Sequence, residues 1–233
     1  MTNEDFIKEL EKLDIYLSEK QLNQLEEYYK MVIDYNKHTN LTRITDKKEF
    51  YLKHYYDSLT IIKAIKLNNQ SLLDVGTGAG FPGIVLKIVF PQLKITLIDS
   101  LNKRIIFLNE VINHLNLNNI KAIHTRAEDY IKENRESFDI VTSRAVANLQ
   151  MLSELCIPFV KVNGYFIPMK AEATKEITDS TNAIDTLGAV IEKVYEFNLF
   201  SDTLKRTIIK IKKTRVTMNK FPRKFSEIKK KPL

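Results

Sequence analysis

The sequence predicts an α/β fold: a mostly parallel seven-stranded sheet with helices on both faces, preceded by a small helical region. Three observations predict it. The hydrophobic pattern changes near residue 70 from helical to alternating strand and helix. The short apolar run Leu72, Leu73, Val75 leads into the glycine turn Gly76-Thr77-Gly78-Ala79-Gly80. A second strand, Lys94 to Ile98, ends in the carboxylate of Asp99. Alternation of this kind builds parallel sheets whose crossover helices cover both faces.

Residues 1 to about 65 contain no strand-like run. Ser18-Glu19-Lys20-Gln21 is a capping box, and Leu22, Leu25, Tyr29 and Val32 then share one helical face. Asp46-Lys47-Lys48-Glu49 has the same form and opens a helix through Phe50 and Leu52. After the glycine turn, Pro82 suits a first helical position, with Ile84, Val85, Ile88 and Val89 as the apolar side. A helix carrying Ile105, Leu108, Ile112 and Leu115 follows Asp99. Ile120 to His124 and Phe138 to Ser143 read as the third and fourth strands, and Gly164 to Lys170 as the fifth. Helices near 149–159 and 172–187 flank the fifth, and Val190 to Phe197 and Thr207 to Ile211 complete the sheet, with an antiparallel edge. The expected division is a helical region 1–65, a ligand-binding domain 66–213 and a basic tail 214–233.

In such sheets ligands bind beyond the carboxyl ends of the strands, where strand order reverses. Gly76, Gly78 and Gly80 allow close backbone approach. Asp99, 23 positions after Gly76, is placed to accept hydrogen bonds from ribose hydroxyls. The dinucleotide pattern G-x-G-x-x-G fails because Phe81 stands where its last glycine belongs. Asp74, two positions before the first glycine, would repel a pyrophosphate and favour a cationic ligand without phosphate. S-adenosylmethionine, with an ammonium and a sulfonium, has that chemistry. The plain alternative is a tight strand-to-helix connection.

The formal net charge of +7 is unevenly spread. Residues 205–233 hold 12 Lys/Arg and one acid, whereas residues 1–204 hold 24 Lys/Arg and 28 Asp/Glu. The acidic start does not read as a signal peptide, Lys87 interrupts the best apolar run, and Cys156 stands alone. The cytoplasm is the expected location, with no membrane contact and a monomeric state.

Some chemistries lack their residues. Ser143-Arg144-Ala145-Val146 follows the fourth strand where adenine amino-methylating enzymes carry a proline-rich turn. Cys156 lies in an apolar helical run, which suits a buried inert thiol better than a nucleophile. The four histidines show no ligand spacing, so no metal centre is expected; His54 and Asp57 read as a local helical pair. An acceptor needing neither nucleophile nor strong base remains, and guanine N7 is one. Cations beyond three strand ends (Arg126, Arg144, Lys170) form a rim suited to a polyanion, or each simply pairs with a nearby acid.

These residues closely resemble the glucose-inhibited division protein B family of bacterial 16S ribosomal RNA guanine-N7 methyltransferases, over nearly the whole chain. The likeness includes Asn40-Leu41-Thr42, His54 with Asp57-Ser58, and Asp74 through Gly83. It continues in Asp99-Ser100 with Lys103-Arg104, Arg126-Ala127-Glu128, Ser143-Arg144-Ala145 and Phe221-Pro222-Arg223-Lys224. The resemblance implies a Rossmann-like class I methyltransferase that uses S-adenosylmethionine and acts on 16S rRNA of the small ribosomal subunit. It implies cofactor contacts at Gly76, Phe81, Ala127, Glu128 and Arg144, beside Asp74, Gly78 and Asp99 from the pattern. Ser226 and Ile228 stand where the family shows a glycine and a proline.

Arg126, Lys170, Arg223 and Lys224 are the candidate RNA contacts, with Phe221 and Phe225 of the tail as base-stacking rings. A solvated charged tail is the alternative. Arg144, Lys170 and Asn40 are the candidates near the reacting base, Asn40 closing the pocket. Removal of residues 214–233 is expected to weaken RNA affinity and leave cofactor binding intact. A non-catalytic RNA-binding ribosome-assembly factor on the same fold is the competing reading.

Overall fold

The computed structural model describes residues 1–200 and 204–233. Helix α1 (Asn3–Glu11) opens with a capping box between Thr2 and Asp5. Helix α2 (Glu19–Thr39) starts as predicted: Ser18 Oγ accepts from the Gln21 N–H, and Gln21 Oε1 accepts from the Ser18 N–H. Its buried stripe is Leu25, Tyr28 and Val32, not the predicted set with Leu22 and Tyr29. Tyr28 takes the inner place because its ring meets Tyr55 and Phe81 and its hydroxyl finds a carbonyl. Tyr29 is half-buried, its ring edge-on to Phe50 and its hydroxyl on the Thr45 carbonyl near the surface.

The second capping box is half formed. Asp46 Oδ1 accepts from the Glu49 N–H and opens α3 (Lys47–Phe50), but the Glu49 carboxylate turns to Lys53 at 2.7 Å. The helix then widens into a π turn, Tyr51–Tyr56, before α4 (Asp57–Leu59) and a 3-10 turn, Thr60–Lys63. Such widened turns rotate side chains relative to a regular helix and recur at functional sites. Here His54 and Asp57 both line one cleft.

Among the described residues, seven strands form one sheet. They are β1 (Ser71–Val75), β2 (Lys94–Asp99), β3 (Ile120–His124), β4 (Phe138–Arg144), β5 (Val160–Lys170), β6 (Ala189–Asn198) and β7 (Lys205–Lys213). Their order is β3-β2-β1-β4-β5-β7-β6. The first five are parallel, and β7 lies antiparallel between β5 and β6, so the last strand is not the edge. Helices α5 (Gly83–Val89), α6 (Asn102–His114), α7 (Ala127–Asn134), α8 (Leu149–Cys156) and α9 (Thr174–Thr186) connect the strands. Pro82 caps α5 from outside instead of filling its first position. Strand order reverses between β1 and β4, which opens the crevice there.

Two apolar clusters hold the layers. One joins α1, α2 and the π turn to α5, α6 and one face of the sheet, so the N-terminal helices share the main core. The other packs α7, α8 and α9 on the opposite face and also takes in Phe221 and Ile228. The basic tail is thus partly core. Phe221 is 4 % exposed and cannot stack on a base, and Phe225, in α10 (Phe225–Lys230), packs against the same cluster. Arg223 makes a two-pronged bond to the fully buried Glu154, with Nε–Oε1 at 2.8 Å and Nη2–Oε2 at 2.6 Å. That pairing removes Arg223 from the free RNA-facing charges, while Lys224 stays exposed.

Candidate active site

The glycine loop is fixed from beneath. Asp74, wholly buried at the end of β1, accepts from Thr77 Oγ1 at 2.7 Å and from the Gly83 N–H at 3.0 Å through Oδ2. It therefore braces loop and helix, where the pattern had suggested a group facing the ligand. Its other oxygen, Oδ1, is buried with no protein partner among the described residues. Burial pushes its carboxyl up to about 6 against the pull of those two donors. Gly78 has φ +63° and open space where a Cβ would stand. Its N–H donates to Asp99 Oδ2 at 3.0 Å.

Asp99 is 3 % exposed and holds three donors. Besides Gly78, Leu101 N–H reaches Oδ1 at 2.9 Å and Arg104 Nη1 reaches Oδ2 at 3.0 Å. A carboxylate offers about four lone-pair positions, so one remains for a ribose hydroxyl. The Thr125 N–H donates to the Asp99 carbonyl, which sets the start of α7 beside this loop. Ala127, buried, and Glu128, partly exposed, open α7 just beyond the end of β3. Arg126 is 60 % exposed, with Glu128 at 3.7 Å, and stays a solvent-facing cation.

Next to the loop lies a cleft of about 430 Å³, lined among others by Lys53, His54, Asp57, Arg144, Lys170 and Arg206. Asp57 is its electrostatic centre. Asp57 is 4 % exposed and binds Arg206 Nε through Oδ1 at 2.8 Å and Arg144 Nη1 through Oδ2 at 3.1 Å. One carboxylate thus serves two guanidiniums, leaving the pair a net positive charge. Arg144 Nη2 also donates to His54 Nδ1 at 3.2 Å, so the ring proton sits on Nε2 and is given to Thr42 Oγ1 at 2.9 Å. The predicted His54–Asp57 pair is replaced by this shared arginine. His54 stacks on Phe81, rings 4.3 Å apart and 4° from parallel, and Arg144 lies 5.4 Å from the same ring.

Lys170 reaches the cleft but is neutralised, its Nζ bonded to Glu176 Oε2 at 2.8 Å and to the Ala147 carbonyl at 2.7 Å. Asn40 caps α2 in the left-handed conformation, φ +49°, with an exposed side chain. The wall contributed by that stretch is Ile44, so Asn40 does not close the pocket. Sequence reasoning missed Arg206 for a topological reason. It looked past the ends of strands, whereas β7 runs backwards and brings its first residues, beside Lys170, to the carboxyl edge.

The cleft can grip an anion or a carbonyl oxygen, and the titratable groups buried at its centre are engaged, whereas Glu172 at its lining is exposed and lies 3.9 Å from Lys205. Both His54 nitrogens are engaged and Asp57 is shared. Cys156 is buried in α8, and burial drives its thiol far up. Among the described residues no group of His, Cys, Asp or Glu could hold a metal ion. Likewise no helix there is long and apolar enough to cross a membrane.

His54 makes stability sensitive to acid. Burial first, then the nearby Arg144 charge, lower its pKa from 6.5 to about 3. A depressed folded-state value favours the fold above 6.5, and that contribution fades as pH falls towards 3. Between pH 6.5 and 4, denaturant titrations should show the native protein losing about 3 kcal/mol more than His54→Gln. Equal pH slopes for the two proteins would refute the assignment.

Known proteins resemble this chain in sequence and in fold. The family described as GidB, rRNA small subunit methyltransferase G, matches residues 21–206. Ribosomal RNA small subunit methyltransferase G of Oceanobacillus iheyensis is 48 % identical, covering 100 % of both chains. The protein of the same name from Staphylococcus carnosus is 47 % identical, covering 97 % of each. Among solved structures, TYW2 of M. jannaschii in complex with AdoMet superposes with TM-score 0.55 at 16 % identity, over 68 % of this chain and 76 % of that one. A SAM dependent methyltransferase from Aquifex aeolicus gives 0.53 at 18 %, over 74 % and 96 %. At such identities the likeness is one of fold.

Proposed function

The chain belongs to the rRNA small subunit methyltransferase G family, and on that premise we propose that it methylates N7 of one guanine in 16S rRNA of the small ribosomal subunit. The methyl donor is S-adenosylmethionine, the enzyme works as a monomer, and its place is the cytoplasm. One observation carries the reading beyond family membership. The glycine loop, with its open space at Gly78, adjoins a cleft whose buried centre holds two arginines on one carboxylate.

Bound S-adenosylmethionine supplies an electrophilic methyl group on its sulfonium. Gly76, Gly78, Phe81, Asp99, Ala127 and Glu128 would hold it, with Asp74 bracing the loop from below. The open space at Gly78, whose N–H meets the Asp99 carboxylate, fits a cationic ligand lying over the loop. Guanine N7 has a free lone pair and no proton to remove. The protein's task is therefore alignment, which can supply a large share of a rate enhancement. Arg144 and Arg206 are suited to guanine O6 and to phosphate. Arg126 and Lys224, both exposed, add to the attraction for the RNA backbone.

Small subunits lacking the modification, incubated with labelled S-adenosylmethionine and digested for mass spectrometry, should yield one 7-methylguanosine. No incorporation, or methyl on another atom, would overturn the assignment. Gly78→Asp places a side chain at φ +63° and an anion over the loop. Calorimetry should show its affinity for the methyl donor falling by at least 100-fold, about 2.7 kcal/mol, with far-UV circular dichroism unchanged.

A further inference from the structure

We propose that Tyr28, on the N-terminal helix α2, is a positioning residue for the methyl donor: its hydroxyl sets the peptide plane at Ala79 and so shapes the glycine loop. The inference rests on the reading of that loop as the donor site.

Tyr28 is wholly buried and reaches across 51 positions of sequence to donate to the Ala79 carbonyl. Ala79 stands between two residues in the left-handed region, Gly78 at φ +63° and Gly80 at φ +103°. Glycines leave a backbone many accessible shapes, so a single fixed bond between them selects one. The carbonyl that Tyr28 holds shares its peptide plane with the Gly80 N–H, which donates to the Thr77 carbonyl at 2.9 Å. Turning that plane would disturb the loop from Thr77 to Gly80, next to the Gly78–Asp99 bond.

The fit is close as well as bonded. A Cβ on Gly80 would fall 2.6 Å from the Tyr28 hydroxyl oxygen, so the loop is moulded onto that group. The ring lies between Tyr55, 5.9 Å away and 19° from parallel, and Phe81, 5.5 Å away. Burial keeps the phenol protonated and able to donate. The N-terminal helices thus do more than cover the sheet: one of them supplies a strut for the donor loop.

The molecule contains its own control. Tyr55 is equally buried, and its hydroxyl donates to the Leu25 carbonyl at 2.7 Å, within α2 and away from the loop. Tyr28→Phe and Tyr55→Phe each delete one buried hydroxyl bonded to one carbonyl. Both should lower the melting temperature by a similar few degrees. Tyr28→Phe alone should weaken S-adenosylmethionine about tenfold in calorimetry. Its KM for the donor should rise to match, with kcat at saturating donor within about threefold of native. Amide exchange at Gly78 and Gly80 should quicken in Tyr28→Phe and stay native in Tyr55→Phe. Native donor affinity and exchange in Tyr28→Phe, or equal weakening in both variants, would overturn the proposal. Absence of donor binding by the native protein would instead remove the reading of the loop on which it rests.

Discussion

Asp57→Asn should lower kcat/KM for methylation of the small subunit by at least 100-fold, about 2.7 kcal/mol of transition-state stabilisation. The native carboxylate separates two guanidiniums, at 2.8 Å from Arg206 and 3.1 Å from Arg144, in a nearly closed setting. Asparagine keeps one acceptor and loses the charge, so two cations face each other across a poorly solvated space. Each is then released from the geometry in which it can meet a guanine oxygen or a phosphate. Donor affinity should fall only a few-fold, because Asp74, Asp99 and the loop bonds do not involve Asp57. Stripping a buried ion cluster of one partner also costs about 3–5 kcal/mol of stability. Melting should therefore drop by roughly 10 °C in a chain of this size. Labelled-methyl kinetics and a melting curve on the same preparation check both halves. Native kcat/KM in a folded Asp57→Asn protein would show that the two arginines do not work as a pair.

The second large effect concerns the C-terminal segment. Truncation before residue 214 should yield protein that is insoluble or melts at least about 15 °C lower, instead of a folded enzyme with weakened RNA affinity. Phe221 and Ile228 are buried in the cluster beneath α8 and α9, and exposing each apolar side chain costs about 1.5–3 kcal/mol. Glu154, with no exposed surface, would lose Arg223 and stand as an uncompensated buried charge, at about 3–5 kcal/mol. Lys213, also buried, would lose Thr217, one of its hydrogen-bond acceptors. Domains of this kind have only about 5–15 kcal/mol in reserve. The single substitution Arg223→Gln isolates the ion pair and should itself lower the melting temperature by several degrees. A soluble truncated protein with a native melting curve would refute this account.

This second prediction reverses an expectation drawn from composition, and the reason is instructive. Twelve basic residues and one acid in the last 29 positions suggested a free polyelectrolyte strip. Composition records charge but not its partner, and the partner of Arg223 lies 69 positions earlier, on α8. Lys170 was misjudged the same way, for Glu176 sits beside it only once α9 has folded back over the sheet. Tyr28 and Tyr29 adjoin in the chain, and helical periodicity chose the wrong one. The choice depended on which ring met Phe81 and which hydroxyl met a carbonyl.

What the chain declares unaided is local in origin. Short apolar runs, capping residues, left-handed glycines and a carboxylate at a strand end are governed by neighbours a few residues away. They announced the parallel sheet, the loop from Gly76 to Gly80, and Asp99 beside it. Tertiary structure decided the charges of the cleft. Asp57 meets Arg206 across 149 positions and Arg144 across 87. That meeting required β7 to run backwards beside β5 and a π turn to swing Asp57 inward. Electrostatic pairing follows distance in space, and only the assembled sheet makes those distances short.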